Sequence, residues 1–332
     1  MTDQDQQRIL VTGALGCLGA WTVKLLADEG TPVIAADKGT DRKRLDLVMG
    51  RAAAADIELV ENDVTDLAAV EALLDEHRIT NVIHLAALQV PFSKANPPLG
   101  AAVNVVGTAN IFEAVKRRGQ GMGPVVYASS IGKYSAADID PDDGILHEDA
   151  SVTPISHYGV FKHANEGTAR VYAADDGVAS VGLRPMVVYG PGRDQGLTSD
   201  PARAILAAVV GRGFEIAFGG RILLQYAADV AAAFVIASRS SRGGAAVYNL
   251  DGILAPVDEF IAALDRAVPG AAGRISHREA PLGLPGAIET TSLAELGALP
   301  MTPLDEAIAT SVSLYRERLD ADVLDPAEHG LG

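Results

Sequence analysis

Apolar residues follow two rhythms along this chain. Short runs at 8–12, 32–36, 57–60, 81–87 and 124–130 have the length and branched side chains of buried strands. Longer stretches at 20–29, 67–76, 98–118 and 153–174 place apolar residues every three or four positions, as amphipathic helices do. Strands alternating with helices predict an α/β fold, a doubly wound parallel sheet with helices on both faces. After residue 178 the pattern loosens. An apolar strand at 179–189 is followed by turn formers at 190–201, a helix at 202–210, and short strands at 215–218, 223–226 and 246–250 around a helix at 230–238. Helices at 256–267 and 302–319 complete the pattern, which reads as a smaller, mixed α/β C-terminal lobe. The expected division is 1–178 for the sheet domain and 179–320 mainly for the second lobe. Segments at about 179–190 and 227–252 are expected to return to the sheet domain, and 321–332 to form a weakly ordered tail.

Composition narrows the partners. With 332 residues, 48% of them hydrophobic, the chain can bury a sizeable core. A formal charge of −16 without a long Lys/Arg cluster argues against nucleic acid. The single Cys17 excludes an internal disulfide and gives no thiol companion for a metal or redox site. Residues 1–7 are polar and lack the apolar core of a signal peptide, and no uncharged run is long enough to span a bilayer. A soluble, cytoplasmic protein acting on a small molecule is expected.

Candidate chemistry begins where the first strand meets the first helix, at Gly13, Gly16 and Gly19. Glycines there let backbone amides approach a pyrophosphate, whose charge the helix dipole favours. The second strand ends in Asp37, whose carboxylate can accept from both ribose hydroxyls and would repel a 2′-phosphate. This predicts NAD rather than NADP, a preference that Lys38, Arg42 and Lys43 soften. Downstream, Tyr158 and Lys162 stand four apart, on one face of a helix. A tyrosine ordinarily titrates near ~10, and a neighbouring ammonium lowers that value, so the pair suits proton transfer at a carbinol.

Further motifs come in a fixed order. They are Asn62-Asp63-Val64, His84-Leu85-Ala86-Ala87, Asn104-Val105-Val106-Gly107-Thr108, Tyr127-Ala128-Ser129-Ser130, Arg184-Pro185, Val188-Tyr189-Gly190-Pro191-Gly192 and Ala228-Asp229-Val230. With the glycine turn and the Tyr158/Lys162 pair, they make the chain resemble the extended short-chain dehydrogenase/reductase family, also called the NAD-dependent epimerase/dehydratase family, over nearly its whole length. The resemblance implies a Rossmann-type sheet domain and a redox enzyme. It assigns cofactor contacts to Gly13, Leu15, Gly16, Gly19, Asp37, Asp63, Val64, Leu85, Ala86, Ala87, Asn104 and Val188, with Asn104 also holding a helix near the site. Ser130, with Ser129 as the alternative, is expected to bond the reacting oxygen; Tyr158 moves the hydroxyl proton, and Lys162 lowers its pKa and holds the nicotinamide ribose. Substrate contacts are expected from Ser129, Ser130, Arg193 and Gln225, and a homodimer through the helices at 98–118 and 153–174. No metal site is expected. His84 reads as packing, His157 as the pocket rim, and Asp138-Ile139-Asp140-Pro141-Asp142-Asp143 as a solvated acidic loop.

Departures from the family pattern sharpen the reading. Dehydratases place an Asp-Glu pair after the catalytic Ser/Thr, where this chain has Ile131-Gly132. Many sugar-nucleotide epimerases meet the diphosphate with an Asn or Thr where Val187 stands and an Arg-Asp pair where Ile222 and Leu223 stand; Arg221 is one position off. The favoured expectation is an NAD-dependent dehydrogenase or reductase acting on a small sugar, sugar acid or related carbonyl, with Arg193 or Arg221 as an anion contact. A sugar or nucleotide-sugar epimerase using transient oxidation is the alternative, and a non-catalytic dinucleotide-binding regulator the third.

Overall fold

A computed structural model describes residues 7–119 and 121–329; the first six residues of the polar N-terminus and the last three of the expected tail lie outside them. The first five strands are β1 Ile9–Thr12, β2 Val33–Asp37, β3 Leu59–Glu61, β4 Asn81–His84 and β5 Val125–Ala128. Next come β6 Ile145–Leu146, β7 Ser180–Arg184, β8 Val187–Tyr189, β9 Phe214–Ile216 and β10 Arg221–Tyr226. The last are β11 Ala245–Asn249, β12 Ile253–Pro256, β13 Ile275–His277 and β14 Ala287–Ile288. Seven strands form one parallel sheet in the order β3-β2-β1-β4-β5-β7-β11. The order reverses between β1 and β4. A crevice at the carboxyl ends of such strands is where a doubly wound sheet takes its ligand.

Burial explains the architecture. In β1, Leu10 faces a core with Phe112 and Val115, while Ile9 and Val11 face another with Trp21 and Phe234. A strand apolar on both sides must be covered on both sides. The third core belongs to the second lobe, where the three-stranded sheet β12-β10-β8 joins helices Asp200–Val209, Val257–Ala267 and Leu304–Asp320 around Tyr189, Phe260 and Ile308. Among the described residues no helix is long and apolar enough to cross a membrane.

Three segments differ from the sequence reading. The run 179–189 is two strands: Pro185 has no N–H to give a ladder, and the chain leaves the large sheet there to start β8 in the small one. The stretch 98–118 contains helix Pro97–Ala101, a π-helical turn Ala102–Val106 and helix Gly107–Arg118. The start of the expected tail is tied down: Arg51 donates to the Asp322 carbonyl at 2.7 Å, and the Val323 N–H to the Arg318 carbonyl at 2.9 Å.

Candidate active site

At the end of β1, Gly13 has φ +70°, and a Cβ there would lie 2.5 Å from the Ala86 nitrogen, so glycine alone lets the turn nest on Leu85–Ala86. A Cβ on Gly19 would come within 2.1 Å of the Gly13 carbonyl, which explains how helix Cys17–Asp28 starts so close to the turn. Asp37 is pinned beside it. Its Oδ2 accepts the Leu15 N–H at 3.0 Å and its Oδ1 the Lys38 N–H at 2.8 Å. The three basic residues that follow are engaged elsewhere: Lys38 with Asp63 at 2.6 Å, Arg42 with the Ala54 and Ile57 carbonyls at 2.5 and 3.1 Å, and Lys43 with Asp41 at 3.5 Å. The Lys38 ammonium, with the Thr65 N–H, holds the Asp63 carboxyl down at about 2. A cradle that a Cβ would fill and a carboxylate at the strand end with its neighbouring cations occupied suit a dinucleotide with an unmodified ribose.

The far wall is held by Asn104 in the π-helical turn. Its amide oxygen accepts the Leu88 N–H and its amide nitrogen donates to the Leu88 carbonyl, both at 3.0 Å, fixing the loop that follows Leu85, Ala86 and Ala87. His84 is buried between the Thr12 and Thr108 hydroxyls at 2.7 and 3.1 Å, and burial together with Lys162 pushes its pKa down to about 3. It packs, neutral. Val64 and Val188 are buried. His157 is exposed, its ring stacked 6.2 Å from Phe161.

The reacting end lies where β5 meets helix His157–Asp176, whose first turn Ser156 caps by accepting the Gly159 N–H. Ser130 opens the tight turn Ile131–Lys133, its Oγ accepting the Gly132 N–H at 2.9 Å, and its hydroxyl and the edge of the Tyr158 ring both border Gly132. Lys162 is buried, donates to the Ala128 carbonyl at 2.6 Å, and sits 5.5 Å from the centre of the Tyr158 ring. Burial lowers the Lys162 pKa to about 8. Burial also raises the Tyr158 phenol, against the pull of Ser130 and Arg193. Burial outweighs Ser130 and Arg193, so the phenol lies above its ordinary value, where the sequence reading expects Lys162 to lower it.

A loop roofs this end. Trp21 Nε1 donates to the Pro191 carbonyl at 2.9 Å, and Arg44 donates to Asp194 at 3.1 and 2.7 Å and to the Leu15 carbonyl at 3.1 Å. Beside the tie, Arg193 donates to Thr198 Oγ1 at 3.3 Å, and in the amide orientation that satisfies both its ends Gln89 accepts from Arg193 at 3.1 Å. The Arg193 Nε is buried without a partner. Cys17 packs near Pro191, its thiol pushed up to about 11 by burial.

The sequence pattern of the NAD dependent epimerase/dehydratase family matches residues 9–251. The chain belongs to this family. It is 32% identical over 329 residues to a UDP-glucose 4-epimerase of Mycolicibacterium smegmatis, covering 94% of this chain and 99% of that one. Among solved structures it is similar to the Thermus thermophilus UDP-glucose 4-epimerase in complex with NAD, at 27% identity and a TM-score of 0.77 over 93% of this chain and 99% of that one. It is also similar to MoeE5 in complex with UDP-glucuronic acid and NAD, at 29% identity and a TM-score of 0.74 over 93% and 99%. The protein is thus an extended short-chain dehydrogenase/reductase enzyme that uses NAD.

Within this family frame several expected substrate contacts move. The hydroxyl of Ser129 is buried and donates to Glu166 at 2.5 Å, so Ser130 alone of the two faces Tyr158. Gln225 is consumed by structure: it accepts the Met186 N–H at 2.6 Å and donates to the Leu250 and Asp251 carbonyls at 2.6 and 3.2 Å, joining β10 to two loops. Arg221 is exposed at the start of β10, while Val187 and Ile222 lie inside the apolar core. Asp138 is not solvated but buried, accepting from the Ser135 and Thr153 amides. Unanticipated were Glu166 and its buried cations. The Glu166 carboxylate takes the Arg184 guanidinium at 2.8 and 2.9 Å and the Lys133 ammonium at 2.5 Å. The spacing of Tyr158, Lys162 and Glu166 at intervals of four was a usable signal for Glu166. Lys133 had none.

Proposed function

We propose that this enzyme moves a hydride between NAD and a secondary alcohol or ketone of a small polyhydroxylated substrate carrying an acid group, such as a sugar acid. Ser130 hydrogen-bonds the reacting oxygen. Tyr158 gives its proton to that oxygen on reduction and takes it back on oxidation. Lys162, fixed by the Ala128 carbonyl, has further N–H groups for the nicotinamide ribose. NAD, when bound, supplies the hydride acceptor; Gly13, Gly19, Leu15 and Asp37 would hold its pyrophosphate and ribose. The observation that carries the substrate reading is Arg193, a cation close enough to pull on the Tyr158 phenol, with a buried N–H that has no partner. Such a group is satisfied by an anion next to the reacting carbon.

The second reading, a sugar-nucleotide epimerase, draws support from the whole-length likeness to a UDP-glucose 4-epimerase. It uses the same residues and returns the hydride to the opposite face. Against it stand Val187 and Ile222, which bring no donor to a diphosphate. Incubating the enzyme with NAD and a panel of free sugars, sugar acids, UDP-glucose and UDP-glucuronic acid separates the two: accumulation of NADH marks a dehydrogenase, and a 4-epimer without NADH marks an epimerase. We also read Leu99 on helix Pro97–Ala101, Val106 in the π-helical turn, and Val160 and Val171 on helix His157–Asp176, all substantially exposed, as the face where a second copy pairs. We read the cytoplasm, with its NAD pool, as the compartment of the reaction.

A further inference from the structure

Three residues after Ser130, Lys133 ends the tight turn that Ser130 caps. Its side chain is 2% exposed, and its ammonium meets Glu166 at 2.5 Å. Glu166 lies two helical turns beyond Tyr158 on the same helix, and its other oxygen takes the Ser129 hydroxyl at 2.5 Å. The turn is therefore fastened to the Tyr158 helix on both sides of Ser130. Charge balance does not require the second fastening: Arg184 already binds both Glu166 oxygens and rests on Asn249 at 3.1 Å. The remaining groups facing Lys133 are Arg184, Arg170, His163 and the Tyr134 ring at 4.6 Å, none of them an anion. A surplus buried cation carries a desolvation cost that the fold alone gives no reason to bear.

We propose that Lys133 is a positioning residue, holding the Ser130 hydroxyl against the Tyr158 phenol by tying the Ser130 turn to the Tyr158 helix through Glu166. This rests on the reading of Ser130 and Tyr158 as the reacting pair. The groups that face Tyr158 are Ser130, Arg193 and Lys162. Of these, Lys133 reaches Ser130 through the turn they share and Lys162 only through Glu166, and the double variant with Ser130→Ala separates the two.

The test uses Lys133→Met, Ser130→Ala, the double variant and Ser129→Ala in the full chain. Tyr158 ionisation is read without substrate, as tyrosinate absorbance after a rapid pH jump minus that of a Tyr158→Phe control. Because a hydroxyl beside the phenol favours its ionised form, Lys133→Met should move its ionisation upward, in the sense of Ser130→Ala, and the double variant should move no further than Ser130→Ala. Turnover of a substrate from the panel should fall about 10²-fold in Lys133→Met, as for a misplaced catalytic group, again without adding to Ser130→Ala. Ser129→Ala leaves every charge in place and should shift the titration the same way, by less. An unchanged titration in folded Lys133→Met, or shifts that add, overturns the proposal. If Lys133→Met does not fold, an unchanged titration in Ser129→Ala overturns it. Absence of turnover with the whole panel would sink the proposed function and leave the titration to decide this inference.

Discussion

Glu166 and Lys133 form one ion pair, yet removing either partner should have opposite consequences. Burial pushes Glu166 up, but the Arg184 fork and then Lys133 hold it at about 2, against an ordinary 4.5. That difference is about 3 kcal/mol of stability at neutral pH, present above 4.5 and lost as pH falls toward 2. Lys133 runs the other way. Burial lowers it to about 8 from 10.5, so its charged form costs the fold about 3 kcal/mol below pH 8, a cost relieved as pH rises toward 10.5. Lys133→Met should therefore leave stability within about 1 kcal/mol of the parent or raise it, since Arg184 keeps Glu166 paired. Glu166→Gln strands two buried cations and should cost about 3–5 kcal/mol. Urea unfolding at neutral pH measures both, and repeating it between pH 3 and 7 should show a flatter acid limb for Glu166→Gln. Equal losses in the two variants, or a Glu166→Gln protein as stable as the parent, would refute the reasoning.

Asp37→Ala should weaken NAD more than NADP, because the pinned carboxylate favours an unmodified ribose; equilibrium binding of both cofactors checks it, and tighter NADP binding by the parent would count against it. Tyr158→Phe should lower turnover by roughly two to four orders of magnitude with NAD binding retained, and a parent-like rate would remove Tyr158 from the chemistry. Arg193→Ala should raise KM for an acid substrate and leave a neutral analogue of the same sugar little changed, which steady-state kinetics resolves. UDP should neither raise the melting temperature nor inhibit turnover; saturable micromolar binding would promote the epimerase reading.

What could be read from the sequence was what depends on neighbours along the chain. The glycine turn, Asp37 at a strand end and the Tyr158/Lys162 interval are local spacings, and the sheet follows from alternating runs. Pro185 was visible too, but the continuous apolar run around it hid the change of sheet. Ser129 and Gln225 were placed in the substrate pocket because nothing in their flanking residues shows that Glu166 and the Leu250 loop take up their hydrogen bonds. The direction of the Tyr158 shift depends on burial, and the Glu166 cluster gathers groups from two helical segments, β7 and β11, which no single window of sequence spans.

The two ties on the roof loop, Trp21 to Pro191 and Arg44 to Asp194, turn a question of chemistry into one of timing. Trp21 fastens the loop to the helix against which the pyrophosphate would rest, and Arg44, from helix Lys43–Met49, ties Asp194 to the Leu15 carbonyl of the glycine turn. A ketone and a reduced cofactor held together under a closed loop have time to recombine on either face; if the loop opens first, they part. The same catalytic residues would serve an isomerising enzyme if these ties hold through turnover and a net-oxidising one if they release first.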